Sequence, residues 1–328
     1  MNVTRLPALL LILPLLGADA GAPADKKDAK PVAVSLAAKK AEVVLGEPIE
    51  LAVTIENRGD APVSVPKPIL SSRSVTFLVT FGKSTFEWKR FIKDVYQVED
   101  PARVPLKPGE KTEAVFAAPS VAAGDYKIRA RVDAPSGALE SAEITVKVKP
   151  RVEGEKEKRR EARELEAVVE TTHGAFRVRL WPERALGTVW NFAELAGKGF
   201  FDNTKIHRII SDFMFQGGDP DGTGMGGPGY SIPAEFNDAR HEPGVLSMAR
   251  TDHPDSAGSQ FFVCLGSPSF LDGKYTAFGR VSEGTETLDR FVKIPVVAGD
   301  SGESSVPKED VRFKRIRLEP KFEPAPEK

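Results

Sequence analysis

The chain has 328 residues, a length that fits two packed domains better than one. Hydrophobic residues make up 41% and the net charge is −1, from 46 basic and 47 acidic residues. That is enough apolar material for ordinary cores, but it leaves no basic field to attract nucleic acid or anionic membrane, so both are excluded as expected partners. The single cysteine, Cys264, cannot form an internal disulfide. It lies in the apolar run Phe261-Phe262-Val263-Cys264-Leu265 and reads as a small buried hydrophobe on a strand.

The first 20 residues read as a secretory signal. Arg5 supplies the positive charge, Ala8 to Leu16 the apolar core, and Ala18-Asp19-Ala20 a small-residue cleavage site. The apolar stretch is about half of the ~20 residues needed to cross a bilayer, so export without membrane insertion after cleavage is expected, to the periplasm or beyond. Residues 21–31 are small, polar and charged and read as a flexible lead.

From 32 to 149 the hydrophobic pattern has period two. Ile49, Leu51, Val53 and Ile55 alternate with polar or small residues, as do Val75, Phe77, Val79 and Phe81. Tyr126, Ile128, Ala130 and Val132 repeat the pattern, then Ile144, Val146 and Val148. Alternation of this kind buries one face of each strand, and turn residues such as Asn57-Arg58-Gly59-Asp60 and Lys107-Pro108-Gly109-Glu110 separate the runs. Many short strands between regular turns predict a β-sandwich. The stretch LGEPIELAVTIENRGDAPVSV, followed by LKPGEKTEAVF and AAGDYKIRARV, resembles bacterial immunoglobulin-like domains, without the cysteine pair of antibody domains. The partner of this domain is left open.

Residues 150–164 are a run of interleaved charges and read as a solvated linker. With so few apolar residues there to dock two domains, each half is expected to fold alone. A second domain is expected over 165–319, with 320–328 as a tail. Val168 to Leu180 reads as a hairpin turning at His173-Gly174. Thr188 to Lys198 reads as a helix with Val189, Phe192, Leu195 and Ala196 on one face and Gly199 ending it. A second helix fits Thr285 to Lys293, with Leu288, Phe291 and Val292 inward.

The chemistry concentrates in four blocks. Ile206-His207-Arg208-Ile209-Ile210 leads into Phe213-Met214-Phe215-Gln216-Gly217-Gly218-Asp219. Gly244 to Arg250 reads GVLSMAR. Ser259-Gln260-Phe261-Phe262-Val263 comes next, and Phe270 to Val281 reads FLDGKYTAFGRV. In this order and spacing they resemble the cyclophilin family over about 166–319. The resemblance implies a closed eight-stranded antiparallel barrel capped by two helices, and peptidyl-prolyl cis-trans isomerase activity on proline-containing protein clients. It assigns the catalytic arginine to Arg208. It assigns the proline pocket and adjoining groove to Phe213, Met214, Gln216, Ala249, Arg250, Gln260, Phe261, Phe270, Leu271 and Tyr275. Phe270 stands where well-known eukaryotic members have Trp, and Tyr275 where they often have His. Leu186-Gly187 replaces a frequent Pro-Lys before the first helix, a change expected to weaken its start.

These residue types suit the reaction. Rotation about a peptide bond faces a barrier of ~18–20 kcal/mol, while cis and trans X-Pro differ by only ~0.5–1 kcal/mol, so the obstacle is kinetic. No bond breaks, and no cofactor or metal is needed. The reaction asks for an apolar pocket that holds the ring and a permanently charged donor fork aimed at the prolyl nitrogen as it pyramidalises. The rival reading is a proline-peptide adaptor or an envelope-assembly protein with incidental activity.

Other signals are weaker. Gly222 to Gly227 satisfies G-x-G-x-x-G, but no helix can open after it at Pro228-Gly229, so a groove rim is expected rather than a phosphate site. Asp219, Asp221, Asp252 and Asp255 sit beside turn residues, which explains them better than a cation site. The four histidines lack zinc-ligand spacing. For a serine hydrolase, no base is singled out for Ser247 or Ser259.

Overall fold

The computed structural model describes residues 31–324 apart from 72–73, 95–96, 99–101, 135–136, 154–159 and 300–301. The expected signal, residues 1–20, and all but the last residue of the lead lie outside the described residues.

Eight strands make the C-terminal barrel: β1 (Arg160–Thr171), β2 (Gly174–Leu180), β3 (Thr204–Ile210), β4 (Met214–Asp219), β5 (Val245–Met248), β6 (Phe261–Cys264), β7 (Ala277–Glu283) and β8 (Arg312–Pro324). Neighbours run β1-β2-β7-β5-β6-β4-β3-β8, and β8 pairs back onto β1, which closes the sheet. Every ladder in the ring is antiparallel. The interior is aromatic. Phe215 stacks on Phe291 at 4.1 Å and Phe261 on Phe313 at 5.2 Å. Helix α1 (Leu186–Gly197) plugs one end with Phe192, 5.3 Å from Phe278, and helix α2 (Glu286–Val292) plugs the other with Phe291. Leu288 and Phe291 of α2 are buried as expected, but Val292 is exposed, because the helix stops there before completing another inward turn.

In the N-terminal half, strands Val32–Ala38, Ile49–Asn57 and Lys111–Ala118 form one antiparallel sheet. A second sheet orders Glu42–Val44, Ile144–Lys149, Gly124–Ala134, Thr76–Phe81 and Ser84–Trp88. The alternating residues point as read: Leu51, Val53 and Ile55 of the first sheet and Phe77, Tyr126, Ile128 and Ala130 of the second are fully buried in one core. Phe81 and Ile144, at the ends of their runs, are only partly buried.

The charge run does not behave as a linker throughout. Arg151–Glu153 is a strand, and 160–164 is the first part of β1. The expected tail is likewise structured to Pro324, because Arg160 to Ala162 supplies a ladder partner for Phe322 to Pro324. Between Ala162 and Leu165 the β1–β8 register slips. The backbone freed there turns to the N-terminal half: Leu165 N–H donates to the Val121 carbonyl at 2.9 Å, and Ala123 N–H to that of Arg163 at 2.6 Å.

The two halves share a core instead of folding apart. The outer face of α1 is buried as well as the inner one, since Trp190 packs edge-on against Trp88 at 5.0 Å and stacks on Tyr126 at 5.9 Å. Gly187 eases the approach, for a Cβ there would stand a tight 3.1 Å from the Glu87 carbonyl oxygen. The helix start lacks a local cap, and Glu235 supplies a remote one. Its carboxylate accepts Gly187 N–H at 2.9 Å, Thr188 N–H at 2.7 Å and the Thr188 hydroxyl at 2.7 Å.

Two measurements follow. Trp190→Ala should cost about 3–5 kcal/mol, as expected for emptying a large buried site, and calorimetry of the intact chain should show one transition for both halves. Two resolved transitions would refute the shared core. Burial pushes the Glu235 carboxyl up to about 7, against the hydrogen bonds from Thr188 and Gly187. A folded-state value above the unfolded one stabilises below about pH 4.5 and is lost as pH rises towards 7, on the order of 2–3 kcal/mol. Unfolding free energies across that window should show this loss in the parent and not in Glu235→Gln.

Candidate functional site

The site lies on the outer surface of β3, β4 and β6 and the loops beyond them. Arg208, on β3, stands opposite Gln216 of β4. Its guanidinium carbon lies 5.8 Å from the centre of the Phe213 ring. Phe213 in turn meets Phe270 at 5.6 Å, the latter being 63% exposed and forming an outer wall. Beneath them Met214, Phe262, Leu271 and Ala277 form an apolar floor, edged by Phe213, Ala249 and Tyr275. Cys264 lies under this floor, fully buried, and burial pushes its thiol up to about 12, so it is an inert hydrophobe as read.

The polar side is held by a chain of hydrogen bonds. Gln216 Nε2 donates to Gln260 Oε1 at 2.9 Å, and Gln260 Nε2 donates to the carbonyls of Gly224 and Gly226, both at 2.9 Å. Those carbonyls belong to the glycine-rich loop, whose N–H groups point the other way. Asp219 accepts from the backbone of Asp221 at 2.8 Å, Thr223 at 2.9 Å and Gly224 at 2.6 Å. Burial would raise the Asp219 carboxyl, but these bonds outweigh it and hold it below the ordinary carboxylate range. The loop has thus turned the N–H groups of Thr223 and Gly224 to an internal carboxylate, and it forms the rim of a groove, as expected. The cavity there measures about 340 Å³ and runs from Gln216 and Gln260 past Met225 to Arg250 and Thr251.

Most of the expected site residues converge here: Arg208, Phe213, Met214, Gln216, Ala249, Gln260, Phe270, Leu271 and Tyr275. Phe261 does not. It is fully buried inside the barrel, 5.5 Å from Phe192 and 5.2 Å from Phe313. The neighbouring Phe262 takes its place on the floor. The reason is the pleat: side chains alternate along β6, so the face that carries Gln260 carries Phe262, and Phe261 must point inward. Arg250 lines the cavity but acts as a strut. It donates to the carbonyl of Lys274 at 3.0 and 3.2 Å and to those of Thr251 and Asp252 at 2.8 and 3.1 Å, with its guanidinium 4.4 Å above the Tyr275 ring.

Two further groups were not legible as site residues. His241 lies between Asp272, at 2.9 Å from Nδ1, and Ser247, at 3.1 Å from Nε2. The order is that of a hydrolytic trio, but Ser247 and the His241 side chain have no exposed surface. No substrate carbonyl can reach them. Instead His241 ties Asp272, and with it the turn Ser269–Leu271 that carries Phe270 and Leu271, to the barrel wall. The second group belongs to the N-terminal half. Phe91 and Ile92 pair antiparallel with Ser231 and Tyr230 of the rim, and the Arg90 guanidinium lies 4.1 Å above the Tyr230 ring while pairing with Glu194 of α1. Tyr230 closes the link by donating to Asn191 Oδ1 at 2.7 Å.

Comparison with known proteins points the same way. Residues 167–318 match the model of the cyclophilin type peptidyl-prolyl cis-trans isomerase family. A peptidyl-prolyl cis-trans isomerase of Synechococcus elongatus is 43% identical over 141 residues, which span 40% of this chain and 96% of that one. A peptidyl-prolyl cis-trans isomerase-like 1 of Neurospora crassa is 47% identical over 137 residues, 40% of this chain and 82% of the relative. A crystal structure of a cyclophilin type isomerase of Cryptosporidium parvum, obtained in the presence of the dipeptide Ala-Pro, aligns with 48% of this chain and 99% of its own, at 30% identity and TM-score 0.44.

The two adjacent phenylalanines separate by measurement. Phe262→Leu should lower kcat/KM for a proline peptide about tenfold, about 1.4 kcal/mol of transition-state stabilisation, with a modest fall in Tm. Phe261→Leu should lower Tm and leave kcat/KM of the folded protein unchanged. The opposite ranking would place Phe261 in the groove.

Proposed function

The chain belongs to the cyclophilin-type peptidyl-prolyl cis-trans isomerase family, and from that premise we propose that it accelerates X-Pro rotation in protein clients outside the cytoplasm, aiding their folding. The observation that carries the catalytic half of this reading is Arg208, poised over Phe213 at the lip of an apolar floor of Met214, Phe262 and Leu271.

The geometry translates into a mechanism. The floor holds the pyrrolidine ring, whose burial favours neither isomer. The twisted state differs from both planar states in one respect: the prolyl nitrogen loses its conjugation and gains a lone pair. A guanidinium fixed at the lip donates to that lone pair, an interaction available only in the twisted state, so it lowers the barrier without tightening ground-state binding. Gln216 and Gln260, already joined to each other and to the rim, offer a preset polar wall for the substrate backbone. A 10⁵-fold acceleration would require about 7 kcal/mol of such differential binding.

The export half of the proposal rests on the charged start, apolar core and Ala18-Asp19-Ala20 of the leader. We read the N-terminal half as immunoglobulin-like, from its two sheets with alternating buried residues, and assign it a role in holding clients or an envelope partner beside the groove. Its direct pairing with the groove rim supports that placement.

A protease-coupled assay on a short proline peptide tests the activity. Arg208→Ala should lose about 10²–10³-fold in kcat, the usual cost of one charge-stabilising donor, at unchanged Tm. Arg208→Lys should also be poor, since a point charge cannot reproduce the fork. Near-parental turnover in the alanine variant would sink the role of Arg208. Exported material should begin at Gly21 on N-terminal sequencing, and a membrane-bound form retaining Met1 would refute the leader.

A further inference from the structure

The guanidinium of Arg208 is already engaged. Its Nε donates to Glu303 Oε2 at 2.7 Å and its Nη2 to Glu303 Oε1 at 2.8 Å, a two-pronged pair. Glu303 comes from outside the motif blocks, at the tip of a ribbon formed by Val296–Ala298 and Ser304–Pro307. The described residues on either side of the tip are bonded to one another. Gly302, at φ +80°, donates to the Gly299 carbonyl at 2.9 Å, and Gly299 N–H returns to the Glu303 carbonyl at 2.9 Å. Glu303 is thus held by a backbone bond at the start of strand Ser304–Pro307, where its carboxylate meets Arg208. Arg208 in turn holds the Glu303 carboxyl below the usual carboxylate range, so the pair is ionic at neutral pH.

Two roles are open to an acid in this place. It could compete with substrate for the arginine, or it could aim it. The atoms used decide between them. Glu303 takes the Nε/Nη2 edge. A guanidinium has five N–H donors, so both protons on Nη1 and one on Nη2 stay free on the edge opposite the carboxylate. Arg208 is about one third exposed and sits on a long, flexible stem, so without a partner it would sample many rotamers. We propose that Glu303 is a positioning residue for the isomerase reaction: it fixes the guanidinium by one edge and leaves the other edge to meet the twisted prolyl amide. The proposal rests on the catalytic assignment of Arg208 and extends it to a residue outside the barrel motifs. Pre-orientation removes an entropic cost that would otherwise fall on the reaction step.

The expected signature is kinetic. Glu303→Ala should lower kcat about tenfold while KM for the peptide and Tm stay close to parental values, because the ground-state pocket is untouched. Glu303→Gln should recover a substantial part of the rate, since its amide oxygen still accepts one N–H. In an Arg208→Ala background, Glu303→Ala should change nothing further, as it acts only through the arginine. A Glu303→Ala variant as fast as or faster than the parent would overturn the proposal and make the pair a brake. A loss that persists in the Arg208→Ala background would equally overturn it. Arg208→Ala with undiminished turnover would overturn the catalytic assignment and this proposal together, whereas the preceding outcomes strike this proposal alone.

Discussion

The pairing of β1 with β8 is the constraint on which the rest depends. It joins Thr171 to Phe313 at one end and Arg160 to Pro324 at the other, and so turns a sheet with two edges into a ring with none. Closure fixes the tilt of every other strand, and with it which side of β3, β4 and β6 faces out. The same pair carries the register slip at 163–164 that hands backbone hydrogen bonds to Val121 and Ala123. A single ladder therefore both seals the catalytic barrel and anchors the N-terminal half to it.

That anchoring reaches the groove by a second route. Helix α1 is clamped between the barrel, through Phe192, and the N-terminal half, through Trp190. A Cβ at position 187 would crowd both the Glu87 carbonyl, at 3.1 Å, and the Glu235 carboxylate, at 3.2 Å, so glycine suits this docking contact better than the frequent lysine. The weak helix start that it implies is remedied by Glu235. Arg90 then connects Glu194 on α1 to Tyr230 on the rim. The rim loop carries the carbonyls that orient Gln260, so the shape of the groove depends on contacts from both halves of the chain.

Much of this was legible in the sequence, and the misses have physical causes. Period-two alternation placed the buried residues of the N-terminal strands, because burial on one face leaves a direct imprint on residue type. The motif blocks placed Arg208 and the groove. Phe261 was assigned to the wrong face although the same alternation, applied from Gln260, selects Phe262. The charge run was read as solvent-exposed from composition, but a strand needs only a ladder partner, and β8 supplies one in Phe322 to Pro324, at the far end of the chain. Docking through Trp190 was hidden because an isolated tryptophan on a helix carries no mark of what covers it. The His241–Ser247–Asp272 trio was invisible because a loop, the strand β5 that follows it and the distant Ser269–Leu271 turn bring it together, and burial makes it a strut where exposure would have made it a candidate nucleophile site.

The polar groups of the groove have one feature in common: each is bonded to the protein before any substrate arrives. Gln216 is held by Gln260, Gln260 by Gly224 and Gly226, Arg250 by Lys274, Thr251 and Asp252, and Arg208 by Glu303. For a reaction that breaks no bond, this arrangement is the main resource available. The substrate changes only the geometry and charge at one nitrogen, so a side chain that had to reorganise in step with that change would lose much of what it gained. In the proposed mechanism a frame of dipoles and one cation, set in advance on a closed barrel, would meet the twisted amide without moving. In the proposed scheme the apolar floor holds the ring still while the preceding carbonyl swings; Met214, Phe262 and Ala277 of that floor come from barrel strands, and Phe213, Phe270 and Leu271 from the loops beside them.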